Sequence, residues 1–198
     1  MHFIRFAALA AALFASAAVV QAQQQNVNIR GTISAFDGTT LTIAAREGRV
    51  VKVTVPDAVN VAATRAITLA DLAPGTKLGV TTVQRGEQLI AIDVRPIPPQ
   101  ANSGLSAYDL QPQSTMTNAV LEGTMQGAAG GSELTLNYGS GTAKVLVPPG
   151  APMSQSIPGA RSDLKVGETV FVAAHRDGED AFTAVRVQVS KDGVKPTQ

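Results

Sequence analysis

The chain has no cysteine and no tryptophan, and aromatic residues make up 4% of its 198 positions. Without thiols there is neither a disulfide framework nor a thiolate zinc cage, so stability must come from packing. So few rings argue against a large aromatic pocket. They also argue against a base-stacking platform for single-stranded nucleic acid. Charge of one sign is missing as well. Sixteen Lys and Arg, of which Arg5 lies in the N-terminal leader, stand against 15 Asp and Glu. No long-range field therefore draws the chain to a polyanion or an anionic membrane, and no nucleic-acid partner is expected. Past the N-terminus no apolar run reaches the ~20 residues that a membrane-spanning helix requires.

The N-terminus is where apolar residues do run together. Met1 to Arg5 is a short basic segment, Phe6 to Val20 is apolar, and Val20-Gln21-Ala22 offers small residues at the −3 and −1 positions. This is the layout of a secretory signal peptide over residues 1–22, too short for a comfortable span. The expected location is the periplasm, with no membrane span after cleavage and no cysteine to carry a lipid anchor.

What the chain does have is a message written twice. Asp71-Leu72 returns as Asp163-Leu164, Gly75 as Gly167, and Gly86 as Gly178. Upstream, Gly31-Thr32 returns as Gly123-Thr124, and Leu41-Thr42-Ile43 as Leu134-Thr135-Leu136. Lys52-Val53-Thr54-Val55-Pro56 returns as Lys144-Val145-Leu146-Val147-Pro148. Recurrence at a near-fixed offset marks an internal duplication. Each unit, at about 70 residues, is close to the lower limit for a self-sufficient core, so the two are expected to pack on each other or on their linker.

Within a unit the apolar residues alternate. Val27, Ile29, Ile33 and Ala35 open the first strand, Asp37-Gly38 turns it, Leu41 and Ile43 continue, and Val51, Val53 and Val55 follow Glu47-Gly48. Asp57 to Ala70 has no clean period and reads as a crossover ending in a helical turn. Leu78–Val83 and Leu89–Val94 form a closing hairpin about Arg85-Gly86. Five short strands broken after the third fit an all-β fold of two tandem OB-like five-stranded barrels, a closed form that hides sheet edges. The expected divisions are a first barrel over 27–97, a Pro-rich linker or strap over 98–117, a second barrel over 118–190, and a flexible tail over 191–198. Prolines 96, 98, 99 and 112 argue against regular structure in the linker. Leu105, Tyr108, Leu110 and Met116 are more apolar than a free linker needs, so a solvated linker and an ordered strap both stand.

The Gly-Thr, Asp-Gly, Leu-Thr-Ile and Asp-Leu-Lys-Val-Gly-Glu (163–168) pattern, closed by Thr183-Ala184-Val185-Arg186-Val187, resembles a widespread domain of unknown function in exported bacterial proteins. The whole chain is similar to a set of alphaproteobacterial periplasmic proteins that share the stretches Tyr108 to Pro112 and Ser114 to Asn118. Some of those carry a metal-transporter permease label, which a chain without membrane spans does not fit. The resemblance implies the fold and leaves function open.

Catalytic signals are thin. Outside the leader the one histidine is His175, followed by a turn carrying Asp177, Glu179 and Asp180. These four are the candidate ligands of a metal-handling protein, set against a plain Asp-Gly hairpin with solvated carboxylates. One imidazole falls short of a transition-metal cage, and the spacing is not that of a calcium loop. No Gly-x-Ser-x-Gly elbow is present. The glycine-rich 127–131 segment lacks the following Lys and helix of a phosphate loop. Phe171 and Phe182 read as core. The expectation is therefore a non-enzymatic module without cofactor that binds a small ligand, a peptide or an envelope protein. Its surface would be a groove between barrels and strap lined by Tyr108, Asp109, Leu110, Met116 and Tyr138.

Overall fold

Burial follows the period of two read from the sequence. In the computed structural model, Leu41, Ile43, Val53, Leu134, Leu136 and Val145 are fully buried while their strand neighbours are not. The structure describes residues 25–127 and 130–197. The expected signal peptide lies outside them. Among the described residues there are thirteen strands and two 3₁₀ turns, and no helix is long and apolar enough to cross a membrane.

The first unit holds β1 (Gln25–Phe36), β2 (Thr40–Ala45), β3 (Val50–Thr54), β4 (Val61–Ala66), β5 (Lys77–Arg85) and β6 (Gln88–Pro96). The linker supplies β7 (Gly104–Tyr108). The second unit holds β8 (Ser114–Gln126), β9 (Ser132–Asn137), β10 (Thr142–Val147), β11 (Ser154–Pro158), β12 (Thr169–Arg176) and β13 (Phe182–Val189). The fold is all-β, with one closed five-stranded barrel and a second, ring-like set of five strands.

Neither ring is built from one unit. The first closes as β1-β2-β3-β13-β12, with β12 antiparallel to β1 and β13 parallel to β3. The second closes as β8-β9-β10-β6-β5, with β5 antiparallel to β8 and β6 parallel to β10. Each unit therefore keeps its first three strands and hands its closing hairpin to the other. The segments 27–97 and 118–190 delimit the repeats, whereas the barrels draw on both. Each barrel has its own core: Val53, Val172 and Val187 meet in the first, Val80, Leu136 and Val145 in the second.

The exchange passes through a pair that the sequence left unassigned. β4 lies antiparallel to β11, with Thr64 opposite Ser156. Those two residues are related by the same 92-residue step that relates Asp71 to Asp163. The pair therefore marks a local two-fold axis about which the halves are exchanged. β4 runs parallel beside β13 through Val61 and Val187, and the equivalent bridge joins Met153 to Val94.

The strongest sequence echo is explained by this arrangement. The Asp71 carboxylate accepts from the Thr68 backbone amide at 2.8 Å, as Asp163 does from Ala160 at 2.8 Å, so each aspartate winds a single 3₁₀ turn. The following leucine is then driven into a barrel end: Leu72 joins the second core and Leu164 the first. Gly75 and Gly167, at φ +89° and +93°, donate across the exchange to Leu121 and Ile33. One echo is false. The bulges that bend the long first strands fall between Ile33 and Ala35 and between Leu121 and Gly123. Gly123-Thr124 therefore stands four residues past the structural counterpart of Gly31-Thr32.

The linker is ordered as a strap. Its prolines lie outside β7, which leaves Gly104–Tyr108 free to pair with Ser114–Asn118 of β8. The tail, expected to be flexible, is tied down. Lys191 and Val194 form a bridge, Pro196 is buried, and the Thr197 hydroxyl donates to the buried Asp93 carboxylate.

Candidate functional site

The two barrels do not meet flush. Between their outer faces, with the strap along one side, lies a cleft of about 830 Å³. Ala62 and Ser156 line it beside the two-fold axis, Ala173 and Arg186 from the first barrel, Arg95 and Met116 from the second, and Ser106 and Tyr108 from the strap. The volume falls in the range of small-molecule sites. No His, Lys, Asp or Glu is among the described residues of its lining.

Along one wall runs a ladder of alternating cations and rings, in which Arg30 backs the lining residues Phe171, Tyr108, Arg95 and Arg186. The Arg186 guanidinium lies 5.3 Å from the centre of Phe171, Arg30 lies 5.2 Å from the same ring and 5.6 Å from Tyr108, and Arg95 lies 5.9 Å from Tyr108. Strand pairing makes it possible, since Arg30 sits opposite Phe171 across β1 and β12, and Arg186 opposite Ala173 across β12 and β13. All three arginines occupy outward positions of barrel strands; Arg30, under the strap, and Arg95 are buried there, while Arg186 keeps an exposed side chain. Each cation over a ring then contributes from about 0.5 to 2 kcal/mol, more where water is excluded.

Two carboxylates hold the ladder, one at its middle cation and one at its Arg95 end. Arg30 donates from Nη2 to Asp109 Oδ1 at 2.8 Å and from Nη1 to Oδ2 at 3.1 Å, while Asn28 donates to Oδ2 at 3.1 Å. Burial lowers the Arg30 pKa, but the bonds and charge of Asp109 outweigh it and leave the pKa above its ordinary value. The Arg30 bonds in turn hold the Asp109 carboxyl below the usual carboxylate range. At one end Arg95 pairs with Asp93 and its Nη2 approaches Met116 Sδ at 3.7 Å. Burial pushes the Asp93 carboxyl upward against the pull of Arg95 and Thr197. Arg186 is pulled down, first by burial and then by the charge of Arg95.

The residues expected to form the groove divide. Tyr108 and Met116 line the cleft. Asp109 stands behind it as the anchor of Arg30, and half-buried Leu110 is not among the lining residues. Tyr138 packs against the core of the second barrel, and its amide donates to Gly141 at 3.0 Å, so it belongs to a turn there and not to the groove. Phe171 also departs from expectation: it is 2% exposed but faces the cleft from outside the barrel, whereas Phe182 is core. Sequence reasoning missed Arg30, Arg95 and Arg186, because a charge at the polar phase of a strand reads as a solvated face.

His175 lies near the end of β12, opposite Asn26 and Thr183, with a buried Nδ1 that has no hydrogen-bond partner among the described residues. Asp177 is occupied by the Thr183 hydroxyl at 2.6 Å, and Glu179 and Asp180 are exposed in the turn. Among the described residues no three His, Asp or Glu side chains converge on a metal-sized site.

Fold and site thus define a class: an all-β protein of two strand-exchanged OB-like barrels enclosing a strap-bordered, arginine-walled cleft. No protein family, curated protein or solved structure matches the chain.

Proposed function

We propose that this is an exported, non-enzymatic binding protein that holds a small ligand in the cleft between its barrels and strap. The observation that carries the reading is the cleft of about 830 Å³ at the two-fold axis, walled by rings and guanidiniums. A chain that needed only to bury its barrels would close that gap with apolar side chains. The described lining has no imidazole, carboxylate or lysine, the groups that most often serve acid–base chemistry, and this supports binding over catalysis. Export rests on the leader, Phe6 to Val20 followed by Val20-Gln21-Ala22.

Two experiments test it. Secreted protein sequenced from its N-terminus should begin at Gln23; a chain that retains Met1 contradicts export. Thermal unfolding should be followed against a panel of amino acids, dipeptides, carboxylates, sugars and nucleosides. At least one class should raise Tm in the native protein, because a ligand bound only by the folded state stabilises it. Ser106 is exposed on the strap and faces the opening, so Ser106→Trp fills the cleft without entering a core. That variant should lose the shift. A panel without effect, or one acting equally on both proteins, contradicts the reading.

A further inference from the structure

We infer that the ligand is a small organic anion with a flat apolar body, its acidic group held by Arg95 and Arg186 and its body laid against Tyr108 and Met116. The inference rests on the binding function proposed above and specifies its chemistry. Three observations carry it. The described lining contains two arginines and no acidic residue, and its other polar groups are amides and hydroxyls such as Asn60, Asn118 and Ser156. Those are neutral donors that complete the coordination of an oxyanion without repelling it. Second, the two arginines line a shared space, where partial desolvation and then the charge of Arg95 lower the Arg186 pKa although its side chain stays open to the cleft. An anion between them relieves both, and guanidinium forks match planar carboxylate, sulfonate or phosphate groups. Third, the space is too large for an inorganic ion. About 830 Å³, walled further by Pro96, Ile97 and Ala101, suits a body of ring size stacked on Tyr108. A polynucleotide is disfavoured by the neutral charge balance outside the leader and by the absence of stacked, open rings along a groove.

The test uses two fluorescent probes that share one ring system, 8-anilino-1-naphthalenesulfonate and its neutral relative N-phenyl-1-naphthylamine. In the native chain and the Arg186 and Asn60 variants emission is read without tryptophan background, since the chain has none. The sulfonate should bind saturably at one site, about tenfold or more tighter than the neutral probe, and should weaken as salt is raised. Arg186→Gln should lower sulfonate affinity about tenfold and leave the neutral probe unchanged, and Arg186→Lys should restore part of the loss. If Arg186→Gln fails to fold, Asn60→Asp places a carboxylate in the lining with the arginines intact and should produce the same selective loss. Equal binding of both probes, insensitive to either variant, overturns the anion assignment while the cleft survives as a ligand site. Failure of both probes to bind, or binding unaffected by Ser106→Trp, overturns the binding function itself.

Discussion

Arg30 shows what a single outward strand position becomes when the strap covers it. Its side chain is 8% exposed, and it meets two rings and a bidentate carboxylate from the strap. Asp109→Asn leaves that guanidinium desolvated without its charge partner and should destabilise the protein by about 1–2 kcal/mol, less than a fully buried pair because the carboxylate is 52% exposed. The pH dependence has a definite sign. Asp109 has a folded pKa below its unfolded one, so its contribution is present above the ordinary carboxylate value near 3.9 and is lost as pH falls through the lower folded value. Denaturant unfolding at pH 6 and pH 3 should show a smaller acid loss in Asp109→Asn than in the native chain. An equal loss contradicts the pairing. Gly31 and Gly123 make a second residue-scale pair. A Cβ at Gly31 would stand 2.2 Å from the Ala44 carbonyl oxygen, while none within 4 Å meets one at Gly123. Gly31→Ala should cost about 1–3 kcal/mol, and Gly123→Ala should stay within about 0.5 kcal/mol. Equal effects would mean that the repeated Gly-Thr is a structural equivalence after all.

At the scale of elements, what was legible followed from side-chain size and period. The ten barrel strands carry Val, Ile and Leu at alternate positions between Gly turns, and all ten form. β4 and β11 escaped because their sequences, Val-Ala-Ala-Thr-Arg-Ala and Ser-Gln-Ser-Ile-Pro, bury small and polar groups at the two-fold axis, where Thr64 bonds the Val189 carbonyl at 2.9 Å. β7 escaped because prolines on either side masked a short run that pairs on one edge only. The candidate site was half legible for a related reason. Tyr108 and Met116 stood out as apolar residues in a linker, whereas the arginines carried no mark separating a buried charge from a solvated one. The 3₁₀ turns give the clearest prediction at this scale. Leu164→Ala empties the first barrel's end and Leu72→Ala the second's, so each should cost about 2–4 kcal/mol by calorimetry. Effects below 1 kcal/mol in both would contradict their role as plugs.

Over the whole molecule, the exchange of closing hairpins could not be read from the chain, and the duplication is the reason. Because β5–β6 and β12–β13 carry the same alternation, either hairpin satisfies either set of three strands, and pattern alone does not choose. The choice falls where β4 and β11 pair and the barrels meet, and the cleft exists because of it: one wall brings β12 and β13 against β1, the other β6 against the strap. Self-closed barrels would separate Arg186 and Phe171 from Arg30 and leave no ladder.

A chain without cysteine allows this to be measured directly by disulfide trapping. In the exchanged structure Thr32 stands opposite Thr169, at a spacing that cysteines can bridge. In a self-closed barrel the residue opposite Thr32 would be Lys77, which here lies opposite Val120. Thr32→Cys with Thr169→Cys should oxidise rapidly to an internally linked monomer, and Thr32→Cys with Lys77→Cys should stay reduced. Trapping of the second pair in place of the first would contradict the exchange and the cleft that depends on it.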